Sequence, residues 1–96
     1  MYKNEHTLQD LLKKAYHRLD MDDTVLEMDV KRAYNSVVGD LIARLTQSLS
    51  YKEGTLAVSM PSADLRQEMW YRRQSLAGRI NDTLGRQAVQ KIIFLA

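Results

Sequence analysis

Apolar side chains recur along the chain with two different periods, and each change of period marks an element. Leu8, Leu11, Leu12, Ala15, Tyr16 and Leu19 lie on one face of a 3.6-residue repeat and predict a helix over residues 8–18. Thr7-Leu8-Gln9-Asp10 opens it in the manner of a capping box, with Asp where Glu is commoner. Residues 1–6 are expected to fray, and Lys13, Lys14 and Arg18 fall outside the stripe, on the solvated side. Residues 20–23 (Asp-Met-Asp-Asp) read as an acidic connector whose carboxylates cap helices rather than bind metal. Thr24-x-x-Glu27, or Asp29 as a later start, opens a second helix. Its stripe of Val30, Ala33, Tyr34, Val37, Val38, Leu41, Ile42 and Leu45 is the strongest periodic signal in the chain. Gly39 interrupts it, at up to ~1 kcal/mol relative to Ala in an exposed helix. A glycine kept there predicts close backbone approach by another element.

From Thr46 the period becomes two. Leu49 and Tyr51 alternate with Ser48 and Ser50, and Leu56, Val58 and Met60 alternate with Ala57 and Ser59. With Lys52-Glu53-Gly54 as the turn, this predicts a hairpin with strands at 47–51 and 55–60. Its large side chains face the helices, and its small polar ones face solvent or a flat partner. Residues 88–95 (AVQKIIFL) form a short apolar, β-branched run that reads as a third strand of the same sheet.

Between hairpin and last strand lies the stretch on which the functional reading turns, residues 61–85. Pro61 ends strand character, Ser62 is a good N-cap, Asp64 favours the first turn, and Gly85 is a natural left-handed residue after Leu84. Leu65, Met69, Leu76, Ile80 and Leu84 share one helical face. A straight helix would centre Arg73 on that apolar face. Either its stem runs along the core surface, or the helix breaks near 73–75 and restarts; the break is the reading adopted here. It predicts one corner holding Arg72, Arg73 and Arg79 beside Trp70 and Tyr71. The element order is then α-α-β-β-α-(α)-β, an α+β fold with a small three-stranded sheet packed on helices. Residues 1–96 read as a single domain, with no repeat or linker.

Composition changes this picture little: 45% hydrophobic and 27% charged residues describe an ordinary globular chain. There is no cysteine, which removes disulfides and thiolate metal sites. No apolar run approaches a membrane span, and the N-terminus lacks a signal-peptide core, so a cytoplasmic location is expected. The net charge of +2 is divided unevenly, −2 over residues 1–40 and +4 over 41–96. The positive half is mostly arginine, which suits phosphate and carboxylate recognition. A solvated helix surface explains the same charge equally well.

No motif demands catalysis. The chain has neither a P-loop nor a G-x-G-x-x-G. His6 and His17 stand apart, the acidic residues have structural explanations, and no Ser or Thr has a convincing base. The expectation is a non-enzyme with no catalytic residues, cofactor or metal. What remains is Arg66, Trp70, Tyr71, Arg72, Arg73, Arg79, Arg86 and Lys91. Arginine forks bind phosphates and aromatic faces stack on unpaired bases, so this set is the candidate nucleic-acid site. The competing explanation is a tryptophan beside the core with arginines that solubilise a helix.

Residues 34–95 carry an ordered series of short motifs: Tyr34, Val37-Val38-Gly39, Leu41-Ile42-Ala43, Gly54-Thr55-Leu56-Ala57-Val58, Ser62-Ala63, Leu65-Arg66-Gln67-Glu68-Met69, Asn81-Asp82-Thr83-Leu84-Gly85 and Lys91-Ile92-Ile93-Phe94. Together they resemble the DciA family of bacterial proteins, associated with loading or operating the replicative DNA helicase. Tyr34 and Leu65 stand where many members have Trp. The resemblance implies a K-homology-like domain. Such modules clamp nucleic-acid backbone with a Gly-x-x-Gly loop between two helices; here the joint reads Arg73-Gln74-Ser75-Leu76-Ala77-Gly78, so any grip must come from arginines. The resemblance also implies the replicative helicase as partner. Together with the arginines, it leads to an expectation of weak, salt-dependent, sequence-tolerant binding of single-stranded DNA. Two other readings stand beside it: a K-homology-like RNA-binding module, and a protein-interaction domain without nucleic acid. A monomer or weak dimer is expected.

Overall fold

A computed structural model describes residues 21–96; the helix expected over 8–18 lies outside them. Helix α1 spans Met21–Leu45, strand β1 Ser48–Lys52, β2 Thr55–Ser59, helix α2 Ala63–Tyr71, helix α3 Arg73–Leu84 and strand β3 Lys91–Leu95. The α+β class, the hairpin and the third strand are as the two periodicities predict. The backbone is already helical at Met21, so Asp22 and Asp23 are part of a helix rather than a connector.

Helix α1 is one helix only in outline. Gly39 has φ 86° and ψ 170°, a region essentially confined to glycine. A Cβ added there would meet nothing within 4 Å. The expectation of close packing is therefore wrong, and backbone conformation is the reason for the glycine. The turn also resets the helical phase. Leu41, which continues the stripe on a straight helix, is 68% exposed, and Leu45 is exposed with it. Beyond the turn the end of α1 is tied down by Thr46, whose hydroxyl donates to the Ile42 carbonyl at 2.8 Å. With that proton committed, the buried Tyr34 hydroxyl donates to Thr46 Oγ1, also at 2.8 Å.

The sheet order is β1-β2-β3, with β1 antiparallel and β3 parallel to the central β2. Glu53 and Gly54 both have positive φ, 50° and 84°, as a two-residue hairpin turn requires. The register puts Leu49 opposite Val58 and Tyr51 opposite Leu56, then Leu56 opposite Ile92 and Val58 opposite Phe94, all on the helix side. The other face carries Ser48, Ser50, Ala57 and Ser59, to which β3 adds Ile93 and Leu95. Val30, Tyr34, Leu56, Val58, Met60 and Ile80 form the fully buried centre of the core.

Apart from the Tyr34 phenol, Asn81 is the one buried polar side chain among the described residues. Its Oδ1 accepts from the Ala88 and Val89 amides at 3.1 and 2.8 Å, and its Nδ2 donates to the Val89 carbonyl at 2.9 Å. That side chain therefore fastens the loop between α3 and β3, including groups that would otherwise be buried without partners. Gly85, at φ 73°, closes α3: its amide and that of Arg86 return to the Asn81 carbonyl. Gly54 completes the fastening, its carbonyl accepting from Gln90 and Lys91 at 2.8 and 3.2 Å.

Candidate nucleic-acid interface

The Ser62 hydroxyl accepts from the Leu65 amide at 3.2 Å and starts α2 where expected. The helix stops at Arg72, with φ −100° and ψ 8°, one residue before the interval predicted. Arg73 is then the first residue of α3 and leaves the apolar face, which resolves the conflict in the helical pattern. Its Nη1 donates to the Trp70 carbonyl at 3.0 Å, and its guanidinium carbon lies 3.8 Å from the indole centroid. That is cation–π distance.

Trp70 is 48% exposed and is no core residue. Tyr71, 66% exposed, meets it edge-on with ring centroids 5.5 Å apart. Trp70, Arg73, Gln74 and Ala77 form one bank of a groove of about 530 Å³, and Gln90 to Phe94 of the β3 side form the other. Lys91 lies on that second bank and is exposed.

The second bank is an edge strand, and its backbone matters. The Lys91 amide bonds to Gly54, and the Leu95 carbonyl accepts from Met60 at 2.8 Å. In a parallel ladder alternate residues turn both backbone groups to the same neighbour. Lys91, Ile93 and Leu95 therefore face β2, while Ile92 and Phe94 direct an N–H and a C=O each toward the open edge. The groove thus combines a cation, an exposed aromatic face and backbone donors and acceptors that have no partner among the described residues.

The eight candidate residues do not gather at one corner. Trp70, Arg73 and Lys91 line this groove, with Tyr71 against the indole. Arg72 and Arg79 line a separate cleft with Val37, Val38, Ile42, Leu65, Met69 and Leu76. Arg72 also pairs loosely with Glu68 at 3.6 Å. Arg66 is half-buried, and its Nη1 donates to the Met60 and Pro61 carbonyls, bracing the turn into α2. Arg86, in the loop after α3, lines neither groove. Gln74, Gln90 and the outward backbone of Ile92 and Phe94 escape a reading of side-chain chemistry. The only signal for the last two is the apolar run itself, which marks a strand but not its free edge.

Among the described residues no His, Cys, Asp and Glu cluster could hold a metal ion, and no helix is long and apolar enough to cross a membrane. In comparison with known proteins, a family model described as "Dna[CI] antecedent, DciA" matches residues 6–94. No curated protein and no solved structure matches the chain.

Proposed function

The chain belongs to the DciA family, associated with helicase loading in DNA replication, and from that premise we propose that it is a non-catalytic replication accessory domain which engages the replicative DNA helicase and holds single-stranded DNA weakly in the groove beside β3. The observation that carries the DNA part is the exposed Trp70 indole with Arg73 stacked on it, 3.8 Å away, facing an open strand edge. Stacking on an aromatic platform is tolerant of sequence because every base has a π-face. Arg73 and Lys91 supply phosphate contacts from the two banks. The outward groups of Ile92 and Phe94 are two residues apart, roughly 6.6 Å along the strand, and offer polar partners to successive bases.

The order of elements from β2 to β3 supports a K-homology-like reading: two helices meeting at a joint, then a strand parallel to the one before them. The joint, Tyr71-Arg72-Arg73-Gln74, has no glycine. Backbone clamping by a glycine loop gives way here to a stacked arginine.

Trp70 is the only tryptophan, so its fluorescence has a single source. Titration with single-stranded DNA is expected to quench it, with affinity falling as salt rises. Two or three phosphate contacts give a log–log slope of roughly −1.4 to −2. Absence of quenching at low salt would remove DNA from this groove. Tighter binding of RNA than DNA at equal salt would transfer the site to RNA. Capture of purified replicative helicase tests the other half, and failure of capture with and without DNA would overturn the helicase reading.

A further inference from the structure

We propose that the cleft between α1 and the α2–α3 pair receives an amphipathic helix of a protein partner, one that carries acidic side chains along its flank. This deepens, and rests on, the reading that the domain engages a helicase. The cleft encloses about 480 Å³, within the usual range of binding clefts. Val37, Val38 and Ile42 form one wall, and Leu65, Met69 and Leu76 the other. Four of these six, Val37, Val38, Ile42 and Leu65, are only partly buried, so the core of the described residues leaves the cleft unfilled.

The walls decide the shape of the occupant. Apart from the non-helical residues Gly39 and Arg72 both are helical, and helical backbone keeps its polar groups in internal bonds. An extended segment laid in the cleft would bury amides and carbonyls without partners. A helix brings its backbone already paired, and side chains at i, i+3, i+4 and i+7 fit between the ridges of two facing helices. The open strand edge suited to an extended chain lies in the other groove.

Charge decides the flank. The rim carries Arg72 and Arg79 against a single carboxylate, Glu68. The Glu68–Arg72 pair spans 3.6 Å with both side chains mostly exposed, so it is weak and open to exchange. Arg79 has no ion pair among the described residues. An acidic side chain arriving beside the cleft meets two guanidinium forks able to hold it bidentately.

The test uses the full chain and synthetic helical peptides of roughly 18 residues, long enough to hold a helix, with leucines at i, i+3, i+4 and i+7. One peptide carries Glu on both flanks and its twin carries Lys. The Glu peptide is expected to bind saturably and to shift the methyl resonances of Val37, Val38, Ile42 and Leu65, leaving Trp70 emission unchanged. The Lys peptide is expected to bind at least about fivefold more weakly. The double variant Arg72→Glu, Arg79→Glu alters only exposed side chains and is expected to reverse that preference. Shifts centred on β3, no preference between the peptides, or the same methyl shifts from self-association without peptide would each overturn the proposal. Failed helicase capture alongside intact Glu-peptide binding would sink the helicase reading and leave the cleft standing. Capture that survives the double reversal undiminished would instead remove the cleft from the helicase interface.

Discussion

The groove beside β3 and the cleft beside α1 share a single joint, yet they are built from opposite materials. One offers an aromatic face, cations and strand-edge backbone groups without partners among the described residues; the other offers apolar side chains on walls that are helical apart from Gly39 and Arg72. Arg72 and Arg73 are neighbours in sequence but are delivered to different sides by one non-helical residue. A run of basic residues therefore says little about a site until the backbone between them is known. Each side also has its own anchor: Asn81 holds the strand bank of the groove, and Gly39 shapes the helical wall of the cleft.

Breaking the groove's anchor is expected to have the largest effect. Asn81→Ala leaves the Val89 amide and carbonyl buried without partners and the Ala88 amide with the Arg86 carbonyl alone, at about 2–4 kcal/mol. For a domain of this size that lowers the melting temperature by roughly 10–20 °C. Hydrogen exchange should accelerate first in residues 86–95. Gly39→Ala comes next. It forces an L-residue into a glycine-only region, at about 1–3 kcal/mol, and its chemical-shift changes should fall on the Val37–Ile42 wall while Trp70 emission stays put. Unchanged stability in Gly39→Ala would mean that the helix straightens at no cost.

Single side chains sharpen the comparison further. Arg73→Ala is expected to weaken single-stranded DNA binding about five- to tenfold, corresponding to roughly 1 kcal/mol for stacking plus a phosphate contact. Arg72→Ala should leave it within about twofold, because that side chain lies on the far side of the joint. Equal losses in the two variants would show that the DNA path crosses the joint. The smallest effect concerns Tyr34, whose hydroxyl steadies the end of α1. Burial pushes its phenol above the ordinary value of 10.0, partly offset by the bond to Thr46. The unfolded chain thus loses this proton at a lower pH than the folded one. The contribution is fully present below about pH 10 and is lost as pH rises through the folded value. Tyr34→Phe should cost about 1 kcal/mol at neutral pH and show a shallower loss of stability above pH 10 than the parent.

Much of the fold is legible in the residues because it rests on local pattern. Alternation at Leu49, Tyr51, Leu56 and Val58 fixes the hairpin, and the clash of Arg73 with an apolar face betrays the break between α2 and α3. Periodicity is blind to phase. Val37, Leu41 and Leu45 keep their spacing through Gly39 although the helix turns there, so Leu41 reads as core and lies at the surface. The site is less legible for a related reason. Whether Trp70 is buried, and which arginines share a groove with it, depends on the angle between two helices set by the backbone of Arg72. No side-chain type announces that angle. Asn81 is equally silent, since an asparagine near a helix end reads as a turn residue until its partners seven and eight positions on are seen.

Those partners impose a length rule on the loop they hold. Between Gly85 and Lys91 the chain is pinned at both ends, by the Asn81 and Gly54 backbone carbonyls, and in the middle by the Asn81 side chain. Side chains alternate faces along a strand, so one residue inserted or deleted there would exchange Ile92 with Ile93. A large core side chain would then point at solvent, and the outward backbone groups would shift to other residues. Substitutions on the exposed part of this loop are tolerable, whereas changes in its length are not.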